Sequence, residues 1–83
     1  MTTAVSARMD QIRAIVCEHL ELEPDQLTET SLFVEEHEAD SLALMDVLAA
    51  LERTFGVSID QAQFSRMTDL RNVYGVVAES ARW

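Results

Sequence analysis

The chain has 83 residues and is strongly acidic: 15 Asp and Glu residues outnumber six basic ones, all arginine, which gives a net charge of −9 at pH 7. Such a surface repels the phosphates of nucleic acids and of anionic lipids, so neither is an expected partner, whereas it attracts basic protein surfaces. One small domain, 1–83, is expected at this length, and 48% hydrophobic residues with only two glycines and one proline favour a helical globular fold.

Apolar residues that recur every three or four positions predict three long helices. The first ends at Pro24, because the residue before a proline is pushed out of the helical conformation. The second is followed by Gly56, a residue typical of helix ends. The third begins at about Asp69, with Thr68 as its predicted cap. The three stripes are Val5, Met9, Ile12, Val16 and Leu20; Leu44, Val47, Leu48, Leu51 and Phe55; and Leu70, Val73, Val77 and Ala81.

Shorter elements are predicted between the long helices. The stretch "SIDQAQFSRM" (58–67) predicts one short helical turn, in which Asp60 and Gln63 have the spacing of a capping box. Residues 21–39 predict a long first loop with a helical turn around Pro24 to Leu27. The sequence therefore predicts an all-α fold, a small four-helix bundle of three long helices and one short one. The apolar residues expected to hold the first loop against the core are Leu22, Leu27, Leu32, Phe33 and Val34.

The sequence contains no pattern typical of a disulfide framework, a metal site or a membrane segment. Its one cysteine, Cys17, excludes an internal disulfide, and together with His19 and His37 it lacks the ligand spacing of a structural zinc site. No apolar run reaches the ~18 residues that a membrane span needs, and the start "MTTAVSARMD" does not resemble a signal peptide. We therefore expect a cytoplasmic location.

Ser41 lies where the acidic segment "EEHEAD" (35–40) meets the apolar run of the second long helix. Three roles are open to it. Asp40 or Ser41 could cap the helix, since both are favoured cap residues. An activated nucleophile would need a base within reach; only His37 is near, and the glycines of a nucleophile elbow are missing. A phosphodiester attached to Ser41 would suit the free N–H groups and the positive end of a helix.

The stretch "ADSLALMDVLAALERTFGVSID" (39–60) resembles the signature of the acyl carrier protein family, in which an Asp-Ser-Leu triplet opens the second helix. The resemblance covers nearly the whole chain. The segment "LELEPDQLTETSLFVEE" (20–36) is similar to the family's first loop, and "ERTFGVSIDQAQFSRMTDLRNVYGVVAE" (52–79) to its third and fourth helices. The triplet alone is a weak signal, but its place on an acidic chain of this length is specific.

The resemblance implies a carrier rather than an enzyme, with no catalytic residues of its own. Ser41 would carry 4'-phosphopantetheine, moved from coenzyme A by a phosphopantetheinyl transferase, and the thiol of this arm would hold acyl groups as thioesters. Asp40 matches the acid that in the family helps to hold the transferase's metal, and Leu42 matches the apolar residue that docks in partner pockets. Further expected partners are acyl-transferring or condensing enzymes with basic docking patches. The protein itself is expected to be a monomer.

A second stripe of the same helix lies beside the core stripe and forms the predicted partner face. Its apolar members would be flanked by acid and would meet a basic patch on an enzyme. Met45 suits such a surface because its flexible thioether adapts to different partners, although a core or boundary position is equally open to it. The partner face consists of Leu42, Met45, Asp46, Ala49 and Arg53.

Three features depart from the family's pattern. His37 and Glu38 stand where Leu and Gly are usual, and Glu38 can reach the backbone angles of glycine only at a cost in free energy. Ala43 replaces a frequent acid, and Arg53 places a positive charge on an acidic face. These changes favour a dedicated carrier in a specialised pathway, such as polyketide or fatty-acid-like biosynthesis. An aminoacyl or peptidyl carrier and an unmodified acidic helical interaction module are the alternatives.

Overall fold

The computed structural model describes residues 4–83, with side-chain surroundings from residue 7 onward. Three long helices dominate these residues and no strand occurs among them, so the predicted all-α bundle is confirmed. Three shorter helical segments join the long helices. In chain order the elements are α1 (Ala4–Leu20), the 3-10 helix η1 (Pro24–Gln26), α2 (Phe33–His37), α3 (Ser41–Phe55), the 3-10 helix η2 (Gln61–Arg66) and α4 (Leu70–Ala81).

The core lies between α1, α3 and α4 and is filled by the apolar stripes that the sequence predicts. In α1, Ile12 and Val16 are fully buried, whereas Met9 and Leu20 pack at the margin of the core. The side chain of Val5, predicted in the same stripe, lies outside the described ones. The buried residues of α3 and α4 are Leu44, Val47, Leu48, Ala50, Leu51, Leu70, Val73, Val76 and Val77, and the partly buried Phe55 and Ala81 complete the stripes.

The ends of α1 and α3 are both set by a residue in the left-handed conformation. Gly56 has φ 64° and ends α3 as predicted. The predicted end of α1 at Pro24 is wrong, because α1 already ends at Leu20. There Glu21 takes φ 56° and turns the chain out of the helix, and Pro24 begins η1 instead. Nothing in the sequence around Glu21 indicates this conformation, whereas the proline is a recognisable helix boundary.

Two predicted caps are corrected by the structure. Asp69, rather than Thr68, caps α4: its Oδ1 accepts the N–H of Asn72 at 2.8 Å. Asp60 does cap η2, through the N–H two residues further along the chain. The capping box with Gln63 does not form, because the Gln63 side chain accepts a hydrogen bond from the arginine that ends η2. Spacing alone thus predicts the position of this cap correctly and its partner wrongly.

The first loop contains a helix, α2, that the sequence did not predict. The expected helical turn after residue 23 is present as η1, and Leu27 and Phe33 are buried as predicted, with Leu22 partly buried. Leu32 and Val34, however, are 38% and 54% exposed. The prediction that these two residues hold the loop against the core is therefore wrong. The short α2 turns Phe33 inward and leaves its apolar neighbours on either side exposed.

Backbone hydrogen bonds fix α2 to the start of α4. The N–H of Phe33 donates to the carbonyl of Thr68 at 3.0 Å, and the N–H of Arg71 donates to the carbonyl of Glu29 at 2.9 Å. Both bonds join the first loop to the chain around the beginning of α4. Together with the fully buried Phe33 ring, they give α2 a defined position beside the start of α3.

Candidate modification site and partner face

The three residues before Ser41 bring it to the surface at the start of α3. Glu38 ends α2 in the left-handed conformation, with φ 55° and ψ 32°, and its N–H donates to carbonyls at the start of that helix. The N–H of Ala39 then donates to the carbonyl of Phe33 at 3.0 Å. Asp40 is extended, with φ −96° and ψ 170°. Ser41 is the next residue, the first of α3, and is exposed.

Asp40 caps α3, which confirms one of the two caps that the sequence allowed. Its Oδ1 accepts the N–H of Ala43 at 2.8 Å, and its carbonyl accepts the N–H of Leu44 at 3.2 Å. The N–H groups of Ser41 and Leu42 lie at the open end of the helix, where no earlier turn supplies a carbonyl. This end carries the partial positive charge of the helix dipole. A phosphodiester on the Ser41 hydroxyl therefore fits the local electrostatics.

A hollow of about 240 Å³ opens beside Ser41, between α2, α3 and η2. Its floor is apolar, since Leu44 and Met67 are buried there, and hydroxyl groups of Ser65 and Thr68 stand among its walls. Such a mixed lining suits a chain that alternates amide and methylene groups. The residues that line the hollow are Val34, Glu35, Ser41, Leu44, Phe64, Ser65, Met67 and Thr68.

A second hollow, of about 190 Å³, lies on the other flank of Asp40 and includes both histidines, His19 and His37. The Nε2 atom of His37 is buried and has no hydrogen-bond partner among the described residues. Ser41 does not line this hollow, and no hydrogen bond joins its hydroxyl to His37 in the described part of the chain. The interpretation of Ser41 as an activated nucleophile therefore lacks the base that it needs.

The predicted partner face lies on the surface of α3. Leu42 and Met45 are 73% and 42% exposed, so Met45 is not a core residue. Asp46 and Arg53 are exposed and Ala49 is half-buried. The neighbouring stripe of the same helix is buried in the core. The structure thus separates the two stripes of α3 as the sequence predicts, and the apolar strip with an acid beside it is open to solvent.

Other reactive groups lie away from Ser41. Cys17 is only 4% exposed on α1, and this burial raises the pKa of its thiol, against the opposing effect of the nearby Arg13 charge. A buried thiol of raised pKa is a poor nucleophile. Within residues 4–83, no group of three or more His, Cys, Asp or Glu side chains is placed to hold a metal ion. No helix in that range is long and apolar enough to cross a membrane.

Comparison with known proteins defines the class of this protein. Residues 10–78 match the family described as the phosphopantetheine attachment site. The chain is 55% identical over 83 residues to polyketide-8 synthase acyl carrier protein 1 of Streptomyces avermitilis, with 99% of each chain covered. It is 31% identical over 75 residues to the acyl carrier protein of Zymomonas mobilis, with 90% of this chain and 96% of that relative covered. The protein is therefore a carrier that holds 4'-phosphopantetheine covalently, and not a catalyst.

The chain belongs to the acyl carrier protein family. A solved structure supports the same assignment at the level of the fold. A chain in the structure described as "The ishigamide ketosynthase/chain length factor" matches with a TM-score of 0.79 and 34% sequence identity, covering 92% of this chain and 96% of that one. The resemblance on which the predicted fold and cofactor depend is thus confirmed.

Four residues that line the hollow beside Ser41 were not predicted as part of the site from the sequence. The apolar pattern predicts Val34 in the core, and it assigns Phe64, Ser65 and Thr68 no part in the site. The shape of the backbone at position 38 did have a signal, namely the departure from the family's usual glycine. Glu38 takes the left-handed angles that glycine would favour, and it does so at a cost in free energy.

Proposed function

We propose that Ser41 carries 4'-phosphopantetheine and that the protein is the acyl carrier of a polyketide pathway. One observation carries the first part: Ser41 is exposed at the capped start of α3, beside a hollow of about 240 Å³. The match of residues 10–78 to the phosphopantetheine attachment site includes this serine. The 55% identity to a polyketide synthase carrier over 99% of the chain supports the pathway.

Asp40 serves twice in this proposal. One carboxylate oxygen, Oδ1, caps α3 and fixes the start of the helix. The side chain is exposed, and its other oxygen accepts no hydrogen bond from the described residues, so it is open to a metal ion held by the transferase. In the transfer, the Ser41 Oγ attacks the phosphorus next to the pantetheine and forms the new phosphodiester bond, while the pyrophosphate bond of coenzyme A breaks and adenosine 3',5'-bisphosphate leaves. The serine proton passes to a base on the transferase, because the described residues offer none within hydrogen-bond reach.

Once attached, the group supplies a thiol that holds acyl chains as thioesters. The residues of this chain then have two tasks, which are to present the arm and to dock. Docking falls to the partner face, where Leu42 and Met45 offer apolar area and Asp46 offers a charge to basic groups on the transferase and on condensing enzymes. The protein acts as a monomeric single domain in this proposal.

Intact-mass spectrometry after treatment with a phosphopantetheinyl transferase and coenzyme A tests the attachment site. Wild type is expected to gain one phosphopantetheinyl group and Ser41→Ala none. Ser65→Ala is the matched control, because Ser65 is exposed and lines the same hollow. It should load as wild type does. A loaded Ser41→Ala protein would overturn the assignment, and an unloaded wild type would favour an unmodified interaction module.

The pathway needs a second measurement. Protein loaded with an acyl thioester is expected to pass the acyl group to a ketosynthase/chain length factor, the kind of enzyme named for the structural relative. An aminoacyl-loaded sample of the same protein serves as the comparison. Faster transfer of the aminoacyl group than of the acyl group would support the aminoacyl carrier instead. Sedimentation analysis of the same samples tests the monomeric state.

A further inference from the structure

Most of the exposed large apolar side chains belong to two stretches of the chain, one at α2 and one at the start of α3. Among the described residues, five large hydrophobic side chains are exposed. One of them, Trp83, is the last residue of the sequence. The other four lie on α2, on the residue that precedes it, or on the first two turns of α3: Leu32, Val34, Leu42 and Met45. Leu42 and Met45 belong to the predicted partner face. Val34 lies on α2, which the sequence did not predict, and Leu32 is the residue before that helix.

Val34 is the more exposed of the two residues from the α2 region, at 54%. It lines the same hollow as Ser41, so it stands beside the attachment site although seven positions separate the two in sequence. Its neighbour Phe33 is fully buried and anchors the helix. The structure thus places one apolar residue of α2 in the core and leaves the next one facing solvent beside the site.

The position of Val34 is well defined before any partner arrives. Its own carbonyl accepts the N–H of Glu38 at 3.1 Å, and the Glu36 carboxylate accepts the N–H of Leu32 at 2.6 Å, so both ends of α2 are closed. The bond from Phe33 to Thr68 ties the helix to the start of α4. Docking on such a surface loses little conformational entropy, because the side chain already lies on an ordered element.

The acidic residues that follow Val34 indicate what kind of partner surface would bind it. Glu35 and Glu36 come directly after it and both are exposed, and the nearest acids beyond them are Glu38 and Asp40. No arginine lies between residues 13 and 53 of the sequence, and Arg66, at the end of the neighbouring η2, is paired with Glu79 at 2.7 Å. A complementary partner therefore has an apolar depression bordered by lysine or arginine. A second copy of this chain does not fit, because its own acidic segment would face this one.

We propose that Val34 on α2 is a second apolar docking contact for partner enzymes, placed at the hollow beside Ser41, which Leu42 does not line. The partner face then extends from α3 across the attachment site onto α2. Two apolar contacts on different helices near the serine fix the direction in which the arm enters an enzyme, whereas a single strip on α3 leaves rotation about that strip free. This inference rests on the proposed function, since it needs an arm on Ser41 and an enzyme that receives it.

The test compares Val34→Thr with Val57→Thr as carriers for a ketosynthase/chain length factor. Both changes replace a methyl group by a hydroxyl at nearly constant volume. Val57 is partly buried at the other end of α3 and packs against the core, so its variant reports the effect of lost stability alone. Each protein is loaded to completion, confirmed by mass, and its transfer rate is measured against carrier concentration. Val34→Thr should raise KM about fivefold with an unchanged maximal rate, as expected for the loss of half-exposed apolar area, and Val57→Thr should leave KM unchanged.

Three outcomes would overturn the inference. Equal KM values for Val34→Thr and wild type would remove Val34 from the docking surface. A lower maximal rate at constant KM would place Val34 against the arm rather than against the enzyme. A concentration-dependent dimer in wild type that Val34→Thr abolishes would make this surface a contact between copies. Failure of wild type to load at Ser41 would instead defeat the proposed function itself, and the mass measurement separates that case from the others.

Discussion

Replacing Glu38 by glycine is expected to stabilise the protein, because Glu38 ends α2 in the left-handed region with φ 55° and ψ 32°. In that region the Cβ atom of an L-residue crowds a backbone carbonyl oxygen, which costs roughly 1–2 kcal/mol. Glycine has no Cβ atom and escapes this cost. Glycine is also more flexible in the unfolded chain, and this lowers the gain in stability by about 0.4–1 kcal/mol.

The net change in the free energy of unfolding is therefore a gain of roughly 0–1.6 kcal/mol, or about 0.8 kcal/mol from the midpoints of the two ranges. For a domain of 60–100 residues, 1 kcal/mol shifts the melting temperature by about 4–8 °C. We expect Glu38→Gly to melt about 3–6 °C above wild type, as followed by the circular dichroism of the helices. Loss of one carboxylate from a chain of net charge −9 would act in the same direction, so the charge must be controlled separately.

Three further variants isolate the backbone effect. Glu38→Gln removes the charge and keeps the Cβ atom. Glu35→Gly places glycine inside α2, where the backbone is not left-handed, and should lower stability by about 0.5–1 kcal/mol. Glu21→Gly repeats the test at the end of α1, where φ is 56°, and should stabilise as Glu38→Gly does. A Glu38→Gly protein that melts at or below Glu38→Gln would refute the reasoning, since the strain would then contribute nothing measurable.

Two other expectations concern docking and the native thiol. Asp46→Arg should slow acyl transfer to a basic partner at low salt while leaving helix content unchanged, because Asp46 is exposed on the partner face and acts mainly on the association rate. Asp25→Arg, on the exposed η1, is the charge-matched control, and equal rates for the two variants would remove Asp46 from that face. Cys17 should react slowly with a thiol reagent in the folded unloaded protein, since burial raises the pKa of its thiol, and loading should add one fast-reacting thiol. Fast modification of the unloaded protein would mean that α1 opens around Cys17.

The long helices could be predicted because their apolar residues repeat with the period of the helix. A small chain has to bury one face of each helix, so Ile12 and Val16 on α1 and Leu51 on α3 could only be core residues. The end of α3 was equally predictable, since Gly56 supplies the left-handed conformation that a helix end favours. These features depend on residues close in sequence and on burial alone.

The ends of α1 and α2 could not be predicted in the same way. Glutamate favours helix interiors, yet Glu21 and Glu38 both take the left-handed conformation. At Glu38 the chain adopts this conformation because tertiary contacts hold α2 in place while the backbone must turn toward the start of α3. The contacts are the burial of the Phe33 ring and the hydrogen bond from the Phe33 N–H to Thr68. Helix propensity is a weak term, and such contacts outweigh it.

The same distinction between local sequence patterns and tertiary contacts applies to the attachment site. Ser41 could be identified from the residues beside it, because a cap and a motif are local patterns. Its surroundings could not, since the hollow brings residues of α2 and η2 together with α3 across more than twenty positions of sequence. Val34 shows the consequence. A pattern of apolar residues in a loop indicates only that some are buried, and the geometry of a five-residue helix decides that Phe33 is buried and that Val34 is exposed beside the attachment site.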